Sequence, residues 1–262
     1  MAHDALKEII AKKRERVLQA KQQLPEAELQ ARIRDIPPSR RFIESVVKPK
    51  SLTLIAEIKK ASPSQGIIRE NFDPVAIAGT YQEAGASALS VLTEEDFFQG
   101  SLSFIPMVKA AVTLPVLRKD FIVEPYQVYE ARYFQADAVL LIADLLSKDK
   151  LIELIHVAEE LGLDCLVEVH TEKELKKAVG LKGPVLIGIN NRDLHSLAVD
   201  FKTTERLFPL IPKEKTVVVE SGIRTYQDIL FLKILGASSV LIGQAFMSSP
   251  DIKASVQEVM GW

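Results

Sequence analysis

From residue 52 onward, short apolar runs rich in β-branched residues alternate with longer mixed stretches. The runs are Leu52–Ile58, Ala88–Leu92, Pro115–Leu117, Ala138–Ile142, Cys165–Val169, Val185–Ile189, Thr216–Val219 and Ser239–Ile242. Each has strand length, and each is separated from the next by enough chain for a helix. Helix punctuation falls where that reading needs it. Asp73 followed by Pro74 makes an N-cap with a proline in the first turn, and Gly85 stands where a left-handed C-terminal residue belongs. The junctions opening at Gly85, Gln135 and Gly236 repeat small residues before the next run, so a helix end can lie close to a strand. Strands with few polar positions, alternating with helices, predict a parallel sheet covered on its outer face. Eight such units in this length predict a closed barrel, fold class α/β, a single (β/α)8 TIM barrel. An open doubly wound sheet is the runner-up, but no G-x-G-x-x-G fingerprint opens its first helix.

The first fifty residues have a different rhythm. Leu6, Ile9, Ile10 and Val17 form an apolar stripe at helical spacing, with Lys13 falling near the same spacing. A second helical piece comes after Pro25 and must stop before Pro37–Pro38, and Phe42–Val47 predicts a third, short one. An extension with its own apolar face should pack on the rest of the chain. We therefore expect one domain over residues 1–262, with 1–50 an N-terminal helical extension and 51–262 the barrel.

Composition narrows the function classes. The chain has 262 residues, 47% hydrophobic and 26% charged, with a net charge of −2. That is ordinary soluble globular material, and the near balance of charge gives no reason to expect nucleic acid or an anionic membrane as partner. The lone Cys165 sits in an apolar run and cannot form an intrachain disulfide. The amphipathic N-terminus lacks a signal-peptide core, so a cytoplasmic setting is expected. The four histidines show no metal-ligand spacing, and neither metal nor cofactor is expected.

In this fold the chemistry sits at the C-terminal ends of the strands. Polar residues, most of them charged, gather there: Glu57 and Lys59 on the first run, Lys119 after the third, Glu168 on the fifth, Asn190 and Arg192 after the sixth, Glu220 after the seventh. Glu57 and Lys59 lie two apart and share a face of their strand. Any one could be a solvated or paired strand-end charge. Two lysines and three glutamates converging from different strands are better explained by function, because a structural barrel need not desolvate so many charges together. Ser221–Gly222 after the seventh run, and Gly243 leading into Gln244 and a short helix after the eighth, predict a phosphate cradle, to which Ser62 could add a hydroxyl.

The segments Ile55–Ser64 (with Glu57, Lys59, Ser62 and Pro63), Pro115–Ile122, Leu166–His170 and Ile187–Leu194, together with Val219–Ile223 and Leu241–Gly243, resemble the signature stretches of the indole-3-glycerol phosphate synthase family. The resemblance spans nearly the whole chain, including a helical extension that in the family lies over the barrel mouth. Gln244 is a departure, since some members have a serine there that is thought to contact phosphate. The resemblance implies a cofactor-free carboxy-lyase of tryptophan biosynthesis acting on 1-(2-carboxyphenylamino)-1-deoxyribulose 5-phosphate. It implies Lys119 as general acid, Glu168 in dehydration, Lys59 as second acid and counter-charge, and Glu57 holding both lysines. Asn190, Arg192 and Glu220 would orient polar groups of the substrate. Ser62, Ser221, Gly222, Gly243 and Gln244 would hold phosphate, and Phe98 (or Phe97), Phe121, Leu140, Leu194 and Leu241 would wall the aromatic ring. The partner implied is the small phosphorylated substrate, with a monomer expected and transient contact with pathway enzymes left open. Alternatives at this stage are a Schiff-base aldolase, a phosphoribosyl isomerase, or a barrel that binds a phosphometabolite without turnover.

Overall fold

The computed structural model describes residues 5–48 and 51–262. Three helices come first: α1 (Ala5–Gln23), α2 (Glu26–Ile33) and α3 (Phe42–Val46). The barrel strands are β1 (Thr53–Ile58), β4 (Ala88–Leu92), β5 (Val116–Lys119), β6 (Ala138–Ile142), β7 (Asp164–Val169), β8 (Val185–Asn190), β9 (Val217–Glu220) and β10 (Ser239–Ile242). A two-stranded hairpin, β2 (Ala61–Ser62) and β3 (Gly66–Ile67), interrupts the loop after β1. The helices between strands are α4 (Pro74–Glu83), α5 (Phe104–Ala111), α6 (Pro125–Tyr133), α7 (Lys148–Glu160), α8 (Glu172–Ala178), α9 (Lys202–Leu207) and α10 (Tyr226–Leu235), and α11 (Gln244–Met247) and α12 (Ile252–Met260) end the chain.

Neighbouring strands pair in parallel in chain order, and β1 closes on β10, so the sheet has no free edge. Every predicted run coincides with one of these strands. The third, sixth and seventh strands extend one or two residues past their apolar runs: β5 reaches Lys119, β8 reaches Asn190 and β9 reaches Glu220. Polar side chains at strand tips hide the end of a run that apolar character alone defines. The helix punctuation behaves as expected. Asp73 accepts from the backbone N–H groups of Val75 and Ala76, and Gly85 has a φ of 93°.

Two apolar layers result from the side-chain alternation. Outward residues such as Leu54, Val91, Val139 and Val167 pack under the helices, and inward residues such as Ile55, Leu117, Leu140, Leu166, Leu186 and Val218 fill the barrel. The inward cluster also includes Leu6 and Ile9 from α1, and Phe42 and Val46 from α3. Phe42 and Val46 are fully buried, and Thr53 Oγ1, at the start of β1, donates to the Val46 carbonyl at 2.6 Å. Leu6 and Ile9 belong instead beside Phe98, Phe121 and Leu194 near the strand tips. The extension therefore does more than cover one end. It stoppers the N-terminal end with α3, runs along α6 through α2, and reaches the C-terminal end with α1.

Candidate active site

One alternation step beyond the apolar floor, the inward positions turn polar. Ile55 is followed inward by Glu57, Leu117 by Lys119, Leu166 by Glu168 and Val218 by Glu220. These side chains line a cavity of about 430 Å³ at the C-terminal end of the barrel. The same cavity is lined by Lys59, Phe98, Phe121, Leu140, Asn190, Arg192, Leu194, Ser221, Gly222, Leu241, Gly243 and Gln244. Ser62 is the exception among the predicted residues. It lines a smaller adjoining cavity, with Leu6, Ile9, Ser64, Phe98 and Gln244, because the β2–β3 hairpin folds it under α1.

The charges are arranged as a chain of pairs. Lys119 Nζ donates to Glu168 Oε2 at 3.0 Å and stands 3.4 Å from Glu220 Oε2. Lys59 Nζ donates to Glu57 Oε1 at 2.5 Å. Glu57, expected to hold both lysines, touches only Lys59. Its carboxylate acts on Lys119 through the electric field, while Glu168 and Glu220 make the contacts, since β7 and β9 bring them nearer to the β5 tip. Asn190 Nδ2 donates to Glu168 Oε1 at 2.9 Å, and its own Oδ1 accepts from the Arg192 backbone N–H at 2.9 Å. Asn190 thus fixes the rotamer of Glu168. Arg192 donates to the Leu197 carbonyl and to Gln244 Oε1.

Burial and these pairs shift the proton affinities. Burial alone would push the Lys119 ammonium down, but Glu168, Glu220 and Glu57 together hold it well above the ordinary lysine range. Burial likewise raises the Glu57 carboxyl, and Lys59 and Lys119 overcome it, leaving the group below its usual value. For Glu220 burial wins: despite Lys119, desolvation with the neighbouring Glu168 and Glu57 charges pushes it up to about 8. Its Oε1 has no hydrogen-bond partner among the described residues. The cavity therefore holds the Lys119 ammonium between two close carboxyl groups, one of which, Glu220, has a raised proton affinity.

Phe98 and Phe121 approach with ring centroids 6.0 Å apart, and the buried Glu94 fixes the loop that carries Phe98 by accepting from the Phe97 and Phe98 N–H groups. Ser221 and Gly222, on the loop after β9, adopt left-handed conformations, φ 65° and 84°, and line the same cavity. Arg224, Gln65 and Ser248 also line the cavity and were not singled out from the sequence. Arg224 comes just after the Ser221–Gly222 turn on the same loop, which is the signal that could have found it.

A second buried network lies behind Lys119. Arg118 points outward, and Asp120, just past the end of β5, pairs with it while also bordering the cavity. Asp120 Oδ2 accepts from Thr93 Oγ1 at 2.7 Å and from Arg118 Nη2 at 2.9 Å, and Oδ1 stands 3.0 Å from Lys13 Nζ of α1. Lys13 also reaches Glu95, and Arg16 pairs with Asp96, so α1 is tied to the loop after β4 as well as to the β5 tip.

The indole-3-glycerol phosphate synthase family model matches residues 6–259. A protein named indole-3-glycerol phosphate synthase from Dehalococcoides mccartyi is 51% identical over 243 residues, covering 92% of this chain and 93% of that protein. One of the same name from Caldanaerobacter subterraneus is 53% identical over 222 residues, covering 84% and 86%. Among solved structures, a tryptophan synthase α-subunit from Pyrococcus furiosus aligns with a TM-score of 0.61 at 14% identity, covering 82% of this chain and all of the other. A 3-hexulose-6-phosphate synthase aligns at 0.62 and 18% identity, covering 80% and 99%. These two show the barrel fold alone.

Proposed function

This chain belongs to the indole-3-glycerol phosphate synthase family, and from that premise we propose how its strand tips divide the work. The activity is the conversion of 1-(2-carboxyphenylamino)-1-deoxyribulose 5-phosphate to indole-3-glycerol phosphate, CO2 and water, a step of tryptophan biosynthesis. The substrate is small and phosphorylated.

Ring closure makes a carbon–carbon bond between the substrate ketone and the ring carbon that carries the carboxylate. The ketone oxygen needs a proton as that bond forms, and Lys119 supplies it. Glu168 in contact and Glu57 through its field keep Lys119 charged, which suits an acid and not a Schiff-base nucleophile. Attack breaks aromaticity, and loss of CO2 returns the bonding electrons to the ring. Dehydration then requires a proton for the leaving hydroxyl and removal of one from the ring system. Glu168 performs this second stage. As a carboxylate it takes the ring proton, while Lys59, the second acid, protonates the leaving hydroxyl. The 3.0 Å contact passes the captured proton from Glu168 to the Lys119 amine, Lys59 is recharged by the one solvent proton that the reaction consumes, and Asn190 keeps the Glu168 carboxylate turned to the cavity. Glu220, carrying its proton, donates to a substrate oxygen. Lys59, aligned by Glu57, balances substrate anionic charge.

Phe98, Phe121, Leu140, Leu194 and Leu241 wall the aryl ring. Ser221, Gly222, Gly243 and Gln244 bind phosphate, with Arg192 fixing Gln244 and Ser62 contributing from the adjoining cavity. The chain works as a single domain and a monomer, with the N-terminal helices part of the catalytic unit. Its setting is the cytoplasm, a reading supported by the single, fully buried Cys165. Among the described residues, no helix is long and apolar enough to cross a membrane.

The convergence of Lys119, Glu168 and Glu220 from three strands onto one cavity carries this reading. Adding the carboxyphenylamino substrate to purified protein should produce indole absorbance and fluorescence, and borohydride should trap no covalent adduct. A trapped adduct would replace the acid role of Lys119 with a covalent one.

A further inference from the structure

Inward positions of β8 run Leu186, Gly188, Asn190, and Gly188 is the position in that row without a side chain. Across the ladder it faces Glu168 on one side and Val218 on the other, and Asn190 is the register partner of Glu220. Glu220 thus starts beside Asn190 and ends against Gly188. A Cβ at position 188 would stand closer than 3.0 Å to Glu220 Oε1, and 3.2 Å from Leu166 Cδ1. One carboxyl oxygen of Glu220 faces Lys119, and the other is buried against bare backbone, with no hydrogen-bond partner among the described residues. The backbone at Gly188 does not need glycine, because its φ is not in the positive range. What the position requires is empty space, a common reason for glycine inside a strand.

The geometry points to Gly188 as a positioning residue: the missing side chain is the seat of the Glu220 carboxyl, holding it inside the barrel beside Lys119 instead of up at the mouth. The inference rests on the reading of Glu220 as a substrate-contacting group. Its consequence is electrostatic. Seated there, the carboxyl is out of water and beside an apolar layer, the first cause of its raised proton affinity ahead of the Glu168 and Glu57 charges. Filling the seat would move the flexible end of Glu220 and leave the strand where it is, so the fold should survive.

The test is a cycle of Gly188→Ala with Glu220→Asp, whose carboxyl is drawn back by about 1.5 Å, one carbon–carbon bond. Gly188→Ala should lower kcat/KM by about 10- to 100-fold, as expected for a catalytic group displaced by roughly an ångström. It should also move the alkaline limb of the pH profile to lower pH, because the carboxyl gains water. In the Glu220→Asp background the same substitution should do much less harm. An equal loss in both backgrounds, or an unmoved alkaline limb, would overturn the inference. Glu220→Ala, which removes the donor, separates the two claims. If it is impaired while Gly188→Ala matches wild type, the seat is wrong and the Glu220 role stands. If Glu220→Ala is fully active, the Glu220 role is wrong, and the seat is decided by thermal unfolding. Gly188→Ala should then lower Tm with Glu220 present and not in Glu220→Ala. Should Gly188→Ala alone fail to fold, folding restored by Glu220→Ala supports the seat, and failure of both overturns it.

Discussion

Replacing Lys13 by methionine tests whether the N-terminal helix is tied to the catalytic strand. Methionine keeps the apolar stem that packs beside Ile9 and Val17 and removes only the ammonium. Lys13 is 3% exposed and bridges Asp120, fully buried, to Glu95. Breaking a buried pair by deleting one partner costs about 3–5 kcal/mol when the survivor is left uncompensated. Asp120 keeps Arg118, Thr93 and the Phe121 N–H, so the smaller range of a lost charged hydrogen bond applies, about 1.5–3 kcal/mol. Against a typical total of about 5–15 kcal/mol, that is a plain shift of the urea midpoint at constant m. Activity should change in a specific way. Leu6 and Ile9 lie with Phe98 and Phe121 around the adjoining cavity, so a loosened α1 should raise KM more than it lowers kcat. An unchanged midpoint with unchanged KM would refute the coupling, and a fall in kcat alone would place the effect elsewhere.

Glu220→Gln should abolish the alkaline limb of kcat/KM near pH 8, because the amide mimics the protonated carboxyl. The sign for stability agrees: the folded proton affinity of Glu220 is above its unfolded value of 4.5, so its contribution is full below pH 4.5 and is lost as pH rises through about 8. The variant should therefore gain on wild type in alkaline unfolding experiments. Asp120 behaves in the opposite way. Burial would raise it, but Lys13 and Arg118 hold it below its unfolded value of 3.8, so its stabilisation is full above that pH and fades as acid is added. Asp120→Asn should flatten the acid limb of an unfolding-versus-pH curve. Glu168→Gln should stall after ring closure, seen as CO2 release without matching indole formation; loss of CO2 release would assign Glu168 to the first stage.

Much of the site is legible in the chain because a barrel strand writes its inward face at every second residue. Ile55–Glu57–Lys59 and Leu166–Glu168 show apolar floor and polar mouth within one strand, and the fold rule says which end matters. Contacts between strands are not written this way. That Lys119 meets Glu168 and Glu220, and not Glu57, depends on the tilt and stagger of the closed sheet. Asn190 likewise turns out to serve Glu168, a pairing across β7 and β8 that no spacing reveals. The extension is readable as amphipathic helices. Its span from one end of the barrel to the other is not, because Phe42 and Val46 look like any short helix face until the opening they fill is known.

The role of Lys119 is measured most directly by the turnover of Lys119→Ala, with circular dichroism confirming that the barrel is intact. A positioned acid contributes about 10²–10⁴-fold, so kcat should fall by that order while the protein still binds the phosphorylated substrate. Turnover close to wild type in the folded variant would contradict the assignment of the first proton to Lys119.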